Sequence, residues 1–187
     1  MDAKAGARGR AHAGRFDQVT IALHWITAGL VGAQLATAWL VRQGGPGAAT
    51  SFAAHRSLGV VIWMVVAVRL IWRSRYAYLP PFPPTMPPWQ QQTAKLSELG
   101  LYALLLLQPL TGLASVLFRG RSFTLLALRV PAVLPPQKAM VHILQSAHEA
   151  GAAGLLGLIA VHAGAALFHE FRLRDGVLRR MLPWTPP

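Results

Sequence analysis

Four histidines lie within or at the ends of strongly apolar segments of the sequence, namely His24, His55, His148 and His162. Ionisable side chains are rare inside membrane-spanning segments, and those that occur usually serve a function. Imidazole is a common axial ligand of haem iron. A neutral histidine that hydrogen-bonds across helices is the structural alternative, but four such residues on three segments favour a ligand role.

The spacing of His148 and His162 suggests two binding levels on one helix. They are separated by 14 residues. On an α-helix this separation returns to within about 40° of the same face and spans about 21 Å along the axis. A six-coordinate haem then requires a second axial ligand from another helix at each level.

The direction of each helix decides the partners. His24 lies about two turns into the first apolar segment, and His162 lies two to three turns before the fourth segment ends on the same side. His55 opens the second segment on the opposite side, where His148 opens the fourth. We therefore predict the pairs His24 with His162 and His55 with His148, because the other pairing separates the partners by about 20 Å in depth.

A charged residue, Arg69, lies 14 residues after His55 and thus near the level of the His24 pair. An arginine within an apolar helix needs an anionic partner or a path along which it snorkels to the surface. A haem propionate is a suitable partner, because guanidinium binds a carboxylate through two hydrogen bonds. The sequence leaves the propionate contact and the snorkelling arginine equally open.

The elements that position these residues are four apolar segments of about the ~20 residues that cross a bilayer. They cover about residues 19–41, 55–72, 96–118 and 147–168, and glycine, proline and charge fill the connections. We predict an all-α, integral membrane four-helix bundle with up-down-up-down topology, in which the third helix, without a histidine, closes the bundle. No strand or repeat is predicted. Residues 16–184 form the single domain and residues 1–15 a flexible basic tail.

Composition supports a membrane protein. Hydrophobic residues make up 53% of the 187 residues and charged residues only 13%, whereas soluble domains carry roughly 25% charge. The absence of cysteine excludes disulfides, iron–sulfur clusters and covalently attached c-type haem. We assign the net charge of +12 to the flanks of the spans and expect no nucleic-acid partner.

The distribution of lysine and arginine predicts the orientation. Four spans place both termini on one side, where eleven of these residues lie, against six on the other side when Arg69 is left aside. Because cytoplasmic flanks are enriched in positive charge, both termini are predicted to be cytoplasmic. His24 and His162 then hold the cytoplasmic-side haem iron, and His55 and His148 the outer-side iron.

A transition-metal transporter is a less favoured interpretation of the same histidines. Imidazole binds Zn, Cu and Ni. However, two separated pairs without a carboxylate inside the spans supply too few ligands at each depth for such a site.

Several motifs together point to a known family. They are Ile21–Trp25, Ala54–Gly59, Val68–Leu70, Leu101–Tyr102 with Pro109 and Gly112, His148–Glu149, His162–His169, Asp175 and Met181–Pro183. On these residues the chain resembles the bacterial cytochrome b561 family, which is related to the cytochrome b subunits of nickel–iron hydrogenases. The resemblance covers nearly all of residues 16–184. It implies two haem b groups, each held by two histidines, in the bacterial inner membrane.

The resemblance also implies partners. Electrons pass to or from the quinone pool, ubiquinone or a related quinone, and some members oxidise superoxide. The alternative is a membrane-anchor cytochrome b subunit that serves a soluble dehydrogenase or hydrogenase.

His169 and Glu170, near the cytoplasmic edge, are candidates for a quinone head-group contact or for proton delivery. For His169, a plain interfacial histidine is the alternative. The outer loop, residues 119–147, is rich in arginine and proline and lacks carboxylates, so the outer partner, superoxide or a redox protein, stays open.

Overall fold

Four long helices dominate the computed structural model, which describes residues 14–184. They are α1 (Gln18–Gln43), α2 (Ala48–Arg75), α3 (Pro88–Leu117) and α4 (Lys138–Phe168). Each is long and apolar enough to cross a membrane, so the predicted all-α membrane bundle is confirmed. Most of the predicted tail, residues 1–13, lies outside the described residues.

The helices extend beyond the apolar segments that predicted them. Helix α2 begins at Ala48, about two turns before His55, and α4 begins at Lys138, about three turns before His148. Helix α3 starts within the proline-rich stretch, with Pro88 in its first turn, where the missing N–H costs no helical hydrogen bond. The ligand candidates therefore lie inside continuous helices, with helical backbone on both sides.

The chain ends and the connection between α2 and α3 meet at one end of the bundle, here called the terminal end. Phe16 N–H bonds to the carbonyl oxygen of Arg180 at 3.4 Å, and Trp25 Nε1 donates to Met181 at 2.8 Å. Arg180 in turn donates to the Pro81 carbonyl oxygen at 2.6 Å. These contacts agree with an up-down-up-down bundle.

The opposite end, here called the hairpin end, carries two short strands that the sequence did not predict. They are β1 (Phe123–Leu125) and β2 (Leu128–Val130), paired antiparallel. Both turn residues, Leu126 and Ala127, have positive φ, as a two-residue hairpin turn requires. Because this turn usually contains Asn-Gly or Asp-Gly, the Leu-Ala pair carries no hairpin signal. The hairpin packs on the start of α2 through Leu126 N–H and Ser57 Oγ, 2.9 Å apart.

Helix packing is uneven around the bundle. Helix α1 packs closely on α2, α3 packs closely on α4, and α2 packs on α3 less extensively, whereas α1 and α4 make at most marginal backbone contact. The buried core lies between α2, α3 and α4 and consists of Ile62, Val66, Tyr102, Leu105 and Leu155. His24 and His162 thus lie on two helices, α1 and α4, that do not pack closely on each other.

Candidate functional site: two histidine pairs

The structure brings together both pairs of histidines that the sequence predicts. The ring centroids are 6.2 Å apart for His24 and His162, and 6.2 Å apart for His55 and His148. An imidazole nitrogen binds a metal at about 2 Å, and the ring centroid lies about 1 Å behind it, so two imidazoles on opposite faces of one metal have centroids about 6 Å apart. Each pair therefore has the spacing of two axial ligands.

The donor set of each pair suits haem. Within residues 14–184, no group of three or more His, Cys, Asp or Glu side chains converges at either level. Structural zinc takes four protein ligands, whereas haem iron receives four nitrogens from its macrocycle and needs only two axial ligands. When bound, haem supplies one-electron chemistry that no side chain provides.

The hairpin-end pair is anchored by hydrogen-bond acceptors on the two helices that carry no ligand there. His55 Nδ1 lies 3.3 Å from the carbonyl oxygen of Gln34 and 3.3 Å from Thr37 Oγ1, both on α1. A carbonyl oxygen can only accept a hydrogen bond, so the proton of the neutral ring is on Nδ1. This leaves Nε2 with its lone pair for a metal.

His148 is held in the same way by α3. Its Nδ1 lies 3.0 Å from the Gln108 carbonyl oxygen and 3.2 Å from Thr111 Oγ1. The Gln108 side chain also donates from Nε2 to the carbonyl oxygen of His148 at 2.9 Å. Helix α3, which was expected only to close the bundle, therefore orients a ligand candidate.

Close backbone packing completes the hairpin-end site. A Cβ at Gly112 would lie 2.9 Å from His148 Cε1, so the ring packs directly on α3 where only glycine leaves space. On the other side of the pair, the Gln34 amide nitrogen lies 3.2 Å from His55 Nε2. This flexible side chain would have to turn aside for Nε2 to hold iron.

At the terminal-end pair, a cation takes the place of the acceptors. Arg69 Nη2 lies 3.1 Å from His24 Nδ1, and its guanidinium carbon lies 5.3 Å from the Tyr102 ring centroid. Guanidinium can only donate, so His24 Nδ1 accepts here. If Nε2 held iron, the neutral ring would carry its proton on Nδ1, and the guanidinium would have to turn from Nδ1 to another nearby partner. Arg69 lies at the level that the sequence predicted, and its contact with a propionate stays a prediction.

His169 and Glu170 lie in a π-helical turn, His169–Leu173, that follows α4. His169 is only 9% exposed, and its Nδ1 lies 2.5 Å from Asp175 Oδ2. Glu170 pairs with Arg179 at 2.7 Å through one carboxylate oxygen. Its other oxygen is buried without a hydrogen-bond partner among the described residues. His169 is thus a buried, carboxylate-anchored side chain rather than an exposed interfacial one.

The hairpin end also gathers arginines. The Arg56 guanidinium lies 4.5 Å from the Phe52 ring centroid and 5.5 Å from that of Phe123. Arg119 lies 5.8 Å from the Phe52 centroid, so the two cations share one aromatic ring. No carboxylate occurs in residues 119–147. This end of the molecule is strongly electropositive.

The sequence interpretation missed the residues that anchor the rings. Gln34 and Thr37 have the same spacing as Gln108 and Thr111, but Gln90 and Thr93 share it without a histidine contact, so the spacing alone is a weak signal. Asp175 contributed to the family resemblance but was not assigned to a site. Such short motifs become informative only when the opposing helices are known to bring an imidazole to each of them.

Comparisons with known proteins agree with this geometry. Residues 15–184 match the family model described as Prokaryotic cytochrome b561. The chain is 34% identical over 172 residues to "Cytochrome b561 homolog 1" of Escherichia coli (strain K12), covering 90% of this chain and 97% of the relative. It is 30% identical over 132 residues to "Probable superoxide oxidase CybB" of Yersinia pestis, covering 69% and 73% respectively. The identity to "Cytochrome b561 homolog 2" of Escherichia coli is 28% over 175 residues.

Proposed function

Because the chain belongs to the prokaryotic cytochrome b561 family of membrane haem b electron-transfer proteins, we propose that it is a dihaem carrier that moves electrons across the bilayer to or from quinone. Two imidazole pairs, each with centroids 6.2 Å apart, carry this proposal. His24 and His162 hold one iron, and His55 and His148 hold the other.

Optical spectroscopy of the purified protein tests the two-haem proposal. We expect reduced-minus-oxidised spectra of two low-spin b haems and a ratio of two haems per chain. A ratio of one, or no haem after expression with sufficient haem supply, contradicts the proposal.

The electropositive hairpin end favours an anionic donor. Clustered cations raise the local concentration of a small anion and its rate of encounter. A relative is named a probable superoxide oxidase, and we propose superoxide as the donor at this end, with ubiquinone as acceptor. Haem reduction by superoxide is then expected to slow as ionic strength rises and in Arg119→Gln, but not in the control Arg172→Gln beyond α4. No haem reduction by a superoxide flux rules out this donor.

The alternative function is that of a membrane-anchor cytochrome b subunit, which differs from the first proposal only in its electron-transfer partner. It uses the same haem chemistry but requires a soluble dehydrogenase or hydrogenase at the membrane surface. Stable copurification with such a subunit, together with the absence of superoxide-driven haem reduction, favours the anchor role.

Quinone reduction requires protons as well as electrons, and we assign their delivery to His169 and Glu170. The support is the burial of His169 and the partial burial of Glu170 beyond the His162 end of α4, and the anchoring of His169 by Asp175. The double variant His169→Ala with Glu170→Ala is expected to keep both haems but to slow quinone reduction. Unchanged quinone reduction contradicts this role.

We propose that this bacterial membrane protein lies in the inner membrane with both termini cytoplasmic. The eleven-to-six distribution of lysine and arginine supports this orientation. A reporter domain that is active only in the cytoplasm is expected to give a signal at either terminus, and one that is active only in the periplasm is expected to give none. A periplasmic signal from either terminus contradicts the orientation.

A further inference from the structure

The two ligand candidates at the hairpin end share one arrangement of acceptors, although they are held by different helices. In each case the imidazole Nδ1 faces a glutamine carbonyl oxygen and the hydroxyl of the threonine three residues later. We call these pairs the Gln-x-x-Thr elements, formed by Gln34 with Thr37 on α1 and by Gln108 with Thr111 on α3. The distances from Nδ1 to the four acceptor atoms range from 3.0 to 3.3 Å.

The threonine hydroxyls have a defined direction. Thr37 Oγ1 donates to the Gln34 carbonyl oxygen at 2.8 Å. Thr111 Oγ1 donates to the carbonyl oxygens of Gln108 at 3.0 Å and of Leu107 at 3.2 Å. Because each hydroxyl proton is used in this bond, a lone pair of the oxygen is left to accept from imidazole. Both acceptors of each element thus select the Nδ1–H tautomer and leave the ring lone pair on Nε2.

Other threonines in the bundle lack this second contact. Thr27 Oγ1 donates to the Leu23 carbonyl oxygen at 2.7 Å, and Thr93 Oγ1 donates to Trp89 at 2.8 Å. Such bonds to the preceding turn are ordinary for helical threonine. In the described part of the chain, neither Thr27 nor Thr93 hydrogen-bonds to a histidine, so ordinary helix chemistry does not account for the two Gln-x-x-Thr elements.

We propose that Thr37 and Thr111 are positioning residues that hold His55 and His148 in the Nδ1–H tautomer and keep the reduction potential of the hairpin-end haem low. A hydrogen bond from the second ring nitrogen raises the basicity of a metal-bound imidazole. A more basic axial ligand stabilises oxidised iron relative to reduced iron, and second-shell hydrogen bonds are a recognised way to tune haem potential. This inference rests on the proposed dihaem function.

The experiment measures haem midpoint potentials in Thr37→Val, Thr111→Val and the double variant. Valine keeps the β-branched shape of threonine and removes only the hydroxyl. Each single variant is expected to raise the equilibrium constant for reduction of the hairpin-end haem about threefold. This corresponds to about 28 mV, because a tenfold change in a one-electron equilibrium is about 59 mV. The double variant is expected to shift the constant about tenfold.

Matched variants separate hydrogen bonding from packing. Thr37→Ser and Thr111→Ser keep the hydroxyl and are expected to restore the original potential. Thr27→Val removes a hydroxyl from the same helix as Thr37 and is expected to leave the hairpin-end potential unchanged. Repeating the titration in a His24→Ala background assigns the potential, because only the hairpin-end haem is then expected to remain.

Two results overturn the inference. One is an unchanged hairpin-end potential in both valine variants. The other is loss of haem in the valine variants that serine does not reverse, which indicates a packing role. Failure of the proposed function is visible separately, because the unmodified protein then lacks two haems.

Discussion

The two histidine pairs have the same ring spacing and opposite surroundings. At the hairpin end, four acceptor atoms from α1 and α3 face the Nδ1 atoms of His55 and His148. At the terminal end, His24 Nδ1 instead accepts a hydrogen bond from the guanidinium of Arg69. His162 makes no hydrogen bond to any described residue. Acceptors thus orient both rings at the hairpin end through Nδ1, whereas among the described residues no acceptor faces Nδ1 of His24 or His162.

This difference suggests a direction for the electrons. Acceptors at Nδ1 make the axial ligands more basic and favour oxidised iron, whereas a nearby cation favours the added electron. We therefore expect the terminal-end haem to have the higher potential. With the proposed anionic donor at the hairpin end, electrons are then expected to move toward the terminal end, where His169 and Glu170 lie.

Removal of a ligand has the largest expected effect on this comparison. His148→Ala and His162→Ala are each expected to lower the haem content from two to one, and the remaining haem identifies the site that was lost. His142→Ala on the same helix is the control and is expected to retain both haems. Haem extraction and difference spectra provide the measurement. Loss of both haems in either variant means that the two sites do not form independently.

Gly112→Ala tests whether the hairpin-end site depends on its prearranged ring. The new Cβ lies 2.9 Å from His148 Cε1, and overpacking of this kind costs about 1–3 kcal/mol. We expect haem at the hairpin end to bind about fivefold more weakly or worse, with terminal-end haem unaffected. Gly29→Ala on α1, where a Cβ meets no atom within 4 Å, is the control. Equal haem occupancy in both variants argues against a rigid His148 pocket.

Arg69→Gln tests the cation at the terminal end. Loss of the charge is expected to make reduction of the terminal-end haem less favourable by on the order of 1 kcal/mol, which lowers its potential. The hairpin-end potential is expected to stay constant. Arg69→Lys keeps the charge and is expected to retain most of the original potential. Redox titration of the three proteins provides the measurement. A shift at the hairpin-end haem alone contradicts the placement of Arg69.

Asp17 gives the smallest expected effect, and it concerns only the terminal end. Its carboxylate caps α1 through Thr20 N–H at 2.9 Å and accepts from Trp72 of α2 at 3.0 Å. Burial raises the pKa of Asp17, but the hydrogen bonds from Thr20, Trp72 and Tyr78 outweigh it and lower the pKa overall. The stabilisation by Asp17 is therefore complete above the ordinary aspartate pKa of about 3.9 and is lost as pH falls through the lower folded value.

The magnitude follows from helix capping. Loss of such a cap costs about 1 kcal/mol or less at a site that is only partly buried. The difference in melting temperature between the unmodified protein and Asp17→Ala is expected to shrink as pH falls below about 4. The comparison of the two proteins cancels protonation of the histidines, which both retain. A difference that does not depend on pH means that the carboxylate charge contributes nothing.

By itself, the sequence determined the number of spans, the family and the depth at which each histidine lies. These properties follow from local quantities, namely the length of apolar segments and the rise of about 1.5 Å per residue along a helix. The pairing of His24 with His162 and of His55 with His148 was predicted from depth alone, and the structure places each pair at a common ring spacing.

Only the tertiary structure decided what surrounds the rings. The contacts of His55 with Thr37 and of His148 with Thr111 join different helices, and they depend on the rotation of each helix about its axis. The hairpin of residues 123–130 was missed because its Leu-Ala turn has positive φ without the Asn or Gly that usually marks such a turn. Depth along a helix is a property of the chain, whereas the direction of a ring nitrogen is set by the neighbour that it meets.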